Sequence, residues 1–172
     1  MRTYYIIQYN AKKYNTPHEV ISNVNMELTE ILENSGNFLT AFYAIIDIKE
    51  KTITYTNAGH NMMYILHVNQ TISYLPNNGP VIGIAKNIDF SSCSEKLYFG
   101  DRIILYTDGL IEARNPAGIM FDTHRLLDTI NKYSKADVDT FVIELCNYLK
   151  NFQAQAPITD DIALLVIDTV FH

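Results

Sequence analysis

Apolar positions recur at helical spacing early in the chain and late, with alternating or continuous apolar runs between. From Met1 to Tyr14, Tyr5, Ile6, Tyr9 and Lys13 fall at helical intervals, which predicts a helix starting at the first residue without a polar lead-in. That start reads as a chain beginning inside an element of a larger fold. Asn15-Thr16-Pro17-His18-Glu19 opens a second helix: Thr16 caps, Pro17 takes the first helical position and Glu19 completes a capping box. Val20, Ile21, Val24, Leu28, Ile31 and Leu32 form its apolar stripe, and Asn34-Ser35-Gly36-Asn37 ends it.

The period then changes to that of strands. Leu39–Ile48 and Thr52–Thr56 flank the polar turn Lys49-Glu50-Lys51, and Met62–Val68 and Thr71–Leu75 flank Asn69-Gln70, which predicts two hairpins. A loop through Asn77-Asn78-Gly79-Pro80 precedes a strand over Ile88–Phe99, and the Gly100-Asp101 turn leads into Arg102–Tyr106. Helices follow over about Thr123 to Lys132 and about Lys135 to Asn151, the second with Val138, Phe141, Val142, Leu145 and Leu149 on one face. Ile162–Val170 is the last strand. Helices, then antiparallel strands, then helices and a final strand make an α+β arrangement within one expected domain over 1–172.

Composition narrows the partners. Hydrophobic residues are 48% and charged residues 19% of the 172, which suits a globular core. The net charge of −6 and the lack of a basic patch argue against nucleic acid or an anionic membrane. Cys93 and Cys146 stand far apart in no CxxC pair, which predicts packed thiols in a reducing cytosol. No apolar run reaches membrane-span length, and Met1-Arg2-Thr3 does not open a signal peptide, so a cytoplasmic location is expected.

The candidate chemistry lies at the ends of two strands. Arg102–Tyr106 delivers Thr107-Asp108-Gly109, a carboxylate fixed by a stiff strand beside a glycine that lets the backbone turn. Asp108 serves there either as a metal ligand or as the polar head of the next helical turn. Asp160-Asp161 stands at the start of the last strand. If the two strands are antiparallel neighbours, Asp108 and Asp160 meet at one sheet edge. Hard oxygen ligands without nearby Cys or His favour magnesium or manganese over zinc. The other reading has Asp160 capping a turn and Asp161 solvated.

Several stretches together carry a resemblance. They are Thr40-Ala41-Phe42-Tyr43, Tyr55-Thr56-Asn57-Ala58-Gly59-His60-Asn61, Gly79-Pro80-Val81-Ile82-Gly83, the run from Gly100 to Asn115, and Thr159-Asp160-Asp161-Ile162-Ala163-Leu164-Leu165-Val166. In order and spacing the chain resembles the sporulation stage II protein E-like branch of the metal-dependent (type 2C, PPM) protein serine/threonine phosphatases. The resemblance implies an antiparallel β-sandwich flanked by helices, with a two-metal Mn2+ or Mg2+ site. It implies hydrolysis of phosphoserine or phosphothreonine on a regulatory protein of the anti-sigma-factor-antagonist type, in signal transduction and stress response.

Carried onto these residues, the resemblance makes Asp108 and Asp160 metal ligands and catalytic residues, with Asp161 and Gly109 supporting. It reads Asn57-Ala58-Gly59-His60 as shaping the sheet near the cleft. His60 is then either a proton donor to the leaving group or a hydrogen-bonded structural histidine. Arg114 is either a phosphate contact or a member of a local hydrogen-bond set with Glu112 and Asn115. The family's aspartate-glycine segment ahead of the first helix does not occur in this sequence. The expectation is therefore the C-terminal portion of the family's domain, weak or inactive alone, with an exposed sheet edge through which a homodimer forms. The alternative is a non-catalytic phosphatase-like regulatory or dimerisation module.

Overall fold

The computed structural model describes residues 2–32, 36–157 and 159–170. Its elements are α1 (Arg2–Lys13), α2 (Pro17–Leu32), β1 (Ala41–Asp47), β2 (Thr52–Ala58), β3 (Met63–Leu66), β4 (Ile72–Leu75), β5 (Cys93–Lys96), β6 (Arg102–Tyr106), α3 (Asp108–Glu112), α4 (Asp122–Lys132), α5 (Val138–Gln153) and β7 (Leu164–Asp168). The chain folds as two compact units. One runs through Met62 and takes in Leu75–Leu97; the other comprises Met63–Tyr74 and Tyr98–Val170.

In the first unit, β1-β2-β5 form an antiparallel sheet, with Ala41 opposite Ala58 and Tyr55 opposite Cys93. The helix α2 covers it because Val20, Ile21, Val24 and Leu28 fall on one stripe and are all buried, against Ala58, Ile82 and Phe90. Ile31, expected on that stripe, is exposed, one residue before the helix ends at Leu32. At the helix start the Thr16 hydroxyl donates to the Glu19 carboxylate at 2.6 Å, a bond between side chains in place of the reciprocal side-chain-to-backbone bonds of the expected capping box. The helix-ending stretch expected at Asn34-Ser35 lies outside the described residues.

In the second unit the sheet runs β4-β3-β6-β7, and the β3–β6 and β6–β7 pairs are antiparallel. Buried Leu126 and Ile130 of α4 and Phe141, Leu145 and Leu149 of α5 supply its helical core. Arg102 lies inside this unit. Its guanidinium donates through Nε and Nη2 to both oxygens of Asp168 at 2.6 and 2.7 Å and through Nη2 to the Ala136 carbonyl, and it lies over the Phe141 ring. Buried Asp101 accepts from the Tyr98 amide and is bonded to His67 at 2.9 Å, which fixes the turn into β6.

Thr52–Thr56 extends to Ala58, but five strands are shorter than the sequence predicts. Leu39–Ile48 is reduced to Ala41–Asp47, Met62–Val68 to Met63–Leu66 and Thr71–Leu75 to Ile72–Leu75, and two others shrink more. The Ile88–Phe99 run yields only Cys93–Lys96, because Phe90 packs into the α2 core and Ser91 and Ser92 bond to Thr56 instead of a strand partner. Residues 98–101 form the turn held by Asp101. The last strand is Leu164–Asp168 rather than Ile162–Val170. Cys93 is half-buried, but Cys146 is exposed on α5 rather than packed, and both thiols are free. No helix among the described residues is long and apolar enough to cross a membrane.

Candidate metal centre

The strands β6 and β7 pair antiparallel from Arg102↔Asp168 to Tyr106↔Leu164. The end of one therefore lies beside the start of the other, and the turns that follow Tyr106 and precede Leu164 share one end of the sheet. Thr107 ties them together. Its amide donates to the Ala163 carbonyl at 3.0 Å, its hydroxyl donates to the Asp161 carbonyl at 3.1 Å, and the Ala163 amide donates to that hydroxyl at 2.9 Å.

Gly109 is required where it stands. A Cβ there would overlap the Asp161 carbonyl, with the Asp161 carbonyl carbon 3.0 Å away, and backbone atoms yield little. The two turns approach as closely as a glycine permits. Upstream, buried Tyr106 stacks on Tyr64, and burial first and the hydrogen bond to Tyr64 second push its phenol well above the usual tyrosine range.

Asp108 is the first residue of α3 and is exposed; its Oδ1 accepts from the Gly109 amide at 3.1 Å. Asp160 is also exposed, and its Oδ1 accepts from the Asp161 amide at 2.8 Å. Each carboxylate braces its own turn with one oxygen. Among the described residues no Lys, Arg or His forms an ion pair with Asp108, Asp160 or Asp161.

Unneutralised carboxylates on braced turns suit a hard divalent cation. Among the described residues, no group of three or more His, Cys, Asp or Glu could hold a metal ion. Carboxylate oxygens are the donor type such an ion takes, but two carboxylates are fewer than the roughly six oxygens it seeks.

Asn57 and His60 belong to the other unit. Buried Asn57 accepts from the His60 amide at 2.8 Å through Oδ1 and donates to the Asn61 carbonyl at 3.1 Å through Nδ2, so it shapes the turn after β2. The His60 ring is bonded through Nδ1 to the Thr40 hydroxyl at 3.1 Å. Gly59 between them has φ 71°, a left-handed conformation suited to glycine.

In the second unit, Arg114 donates through Nη1 to the Gly118 carbonyl at 2.7 Å, and Asn115 Oδ1 accepts from the Ala117 and Ile119 amides. The local hydrogen bonding expected of these two residues is present. What sequence reasoning missed is the buried pairing of Asp101 with His67 and of Arg102 with Asp168. Each depends on a partner more than 30 residues away, and no local signal marks it.

The family model of Stage II sporulation protein E (SpoIIE) matches residues 1–170. The chain belongs to the SpoIIE family. Among curated relatives, phosphoserine phosphatase RsbU of Bacillus subtilis is 28% identical over 88% of this chain and 44% of its own length. Protein IcfG of Synechocystis is 37% identical over 54% of this chain and 15% of its own length. The chain spans less than half the length of these relatives.

Among solved structures, the SiaA-PP2C domain of Pseudomonas aeruginosa superposes with a TM-score of 0.86 at 16% identity, covering 97% of this chain and 67% of that one. The RsbU and RsbW domains of Rv1364c from Mycobacterium tuberculosis give a TM-score of 0.76 at 21% identity, covering 99% of this chain and 46% of that one. These likenesses show a PP2C-type fold, and the expected α+β class with antiparallel sheets flanked by helices is what the SpoIIE-family chain adopts.

Proposed function

We propose that this SpoIIE-family chain is a metal-dependent phosphoprotein phosphatase domain acting on phosphoserine or phosphothreonine of a regulatory protein of the anti-sigma-factor-antagonist type in the cytoplasm. The observation that carries the reading is the convergence of the Thr107-Asp108-Gly109 and Asp160-Asp161 turns at one end of the β6–β7 pair. The family is metal-dependent, and Mn2+ or Mg2+ is the ion its oxygen donors favour. When bound, such an ion lowers the pKa of water and neutralises phosphoryl oxygens.

The chain's own residues do the positioning. Asp108 and Asp160 hold the ion by the oxygens their turns leave free. Thr107 and Gly109 fix the spacing between the turns, and Asp161 supports through its backbone carbonyl. Asn57 keeps its turn in shape, and His60 is the structural histidine of the pair.

A second reading, a phosphatase-like module that binds a partner or forms a homodimer, is favoured by the lack of a third metal-binding group among the described residues. The edge strand β7, with Leu165 exposed, offers the pairing edge. One experiment separates the two readings. In the full protein, Asp108→Asn abolishes manganese-dependent phosphate release from a phosphoserine substrate while the circular dichroism spectrum stays unchanged. Retained activity in that variant removes Asp108 from the site.

A further inference from the structure

Beside the candidate metal centre the second unit carries an open groove of about 600 Å³. One wall is the turn after α3, with Arg114, Asn115 and Pro116; the other is the segment after α5, with Ala156, Pro157 and Thr159. Thr159 precedes Asp160 directly, so the groove leads to the carboxylate turn.

Asn115 closes its turn with two side-chain bonds and the Asn115 amide bond to the Ile119 carbonyl, and Arg114 bridges Met120. Across the groove the Ala154 and Ala156 amides bond back to Lys150 and Gln153. Pro116, Ala154, Ala156 and Pro157 give it an apolar lining, and among the described residues Arg114 is its one charged lining residue in a chain of net charge −6.

Arg114 is exposed, and among the described residues no carboxylate pairs with it. Its one bond, to Gly118, anchors the guanidinium and leaves most of its five donors unused. An anchored, unpaired guanidinium at the rim of an apolar channel recognises a carboxylate on a ligand lying in that channel.

We propose that this groove binds the extended peptide segment flanking the phosphorylated residue of the substrate, and that Arg114 selects an acidic side chain in that segment. Arg114 is then a specificity residue, and the phosphoryl group lies beyond it at Asp108 and Asp160. The inference rests on the phosphatase reading for the position of the phosphoryl group, while the groove's preference for acid stands on its own geometry.

Fluorescence anisotropy tests it, with labelled phosphoserine peptides that carry either glutamates or alanines beside the phosphoserine. The acidic peptide is expected to bind about tenfold more tightly than the neutral one. The unphosphorylated acidic peptide is expected to keep that preference. Arg114→Glu removes it, Arg114→Lys retains part of it, and Arg114→Gln repeats the loss without charge reversal. Equal affinity for the two peptides, or a preference that survives Arg114→Glu, overturns the proposal. Metal-dependent turnover without any acid preference sinks the groove and leaves the phosphatase reading. Acid preference without Asp108-dependent turnover sinks the phosphatase reading and leaves the groove.

Discussion

Gly109 and Asp161 stand so close that a β-carbon on the glycine would overlap the aspartate's carbonyl group. This contact joins the turn that carries Asp108 to the turn that carries Asp160, and it is backbone against backbone. Gly109→Ala must push the turns apart. The expected cost is about 1–3 kcal/mol in urea unfolding, the range for overpacking at a rigid site. Manganese affinity should fall with it, whereas Asp108→Asn should lose affinity without losing stability. A fully stable Gly109→Ala protein that binds metal as well as wild type would show that the spacing of the turns does not matter.

The Arg102–Asp168 pair gives an asymmetric prediction. Arg102 is 6% exposed in its side chain and Asp168 32%, so water can reach the acid but not the base. Asp168→Ala leaves a buried guanidinium without its partner and should cost about 3 kcal/mol. Arg102→Met leaves an acid that can be solvated, adds an apolar chain beside Phe141, and should cost clearly less. Chemical denaturation of the two variants reads the difference, and equal costs would contradict it.

The start of α5 predicts a pH dependence. Asp137 caps this helix, accepting from the Thr140 amide and hydroxyl, both at 2.8 Å. The Thr140 amide bond first and the hydroxyl bond second hold its carboxyl below the ordinary value of 3.8. A carboxyl lowered on folding contributes stability above its unfolded pKa and loses it as pH falls through the folded one. The Tm gap between wild type and Asp137→Ala should therefore be full at pH 6 and narrow below about pH 4. Asp137→Asn, which caps without titrating, should show no such narrowing. Thermal melts across this range check both statements.

Much of this was legible in the sequence where local pattern decides. The bounds of β6 follow from an aliphatic run between Gly100-Asp101 and Thr107-Asp108-Gly109, and α2 follows from its cap and stripe. The antiparallel partnership of β6 and β7, which brings the turns carrying Asp108 and Asp160 to one end of the sheet, is a condition in the sequence and a register in the structure. What the pattern could not carry was tertiary choice. Phe90 leaves its strand to fill the α2 core, Asp101 trades the solvent of a turn for His67, and Arg102 is buried at a strand position because Asp168 lies opposite. An apolar residue in a strand-like run looks the same whether it pairs or packs, and a charged one gives no sign of its distant partner.

The central claim is that Asp108 and Asp160 hold a divalent cation, and manganese titration calorimetry on this chain tests it most directly. The account predicts binding tighter than about 0.1 mM that both Asp108→Asn and Asp160→Asn lose while remaining folded. Equal binding by wild type and the two variants, or no binding by any of them, would contradict it.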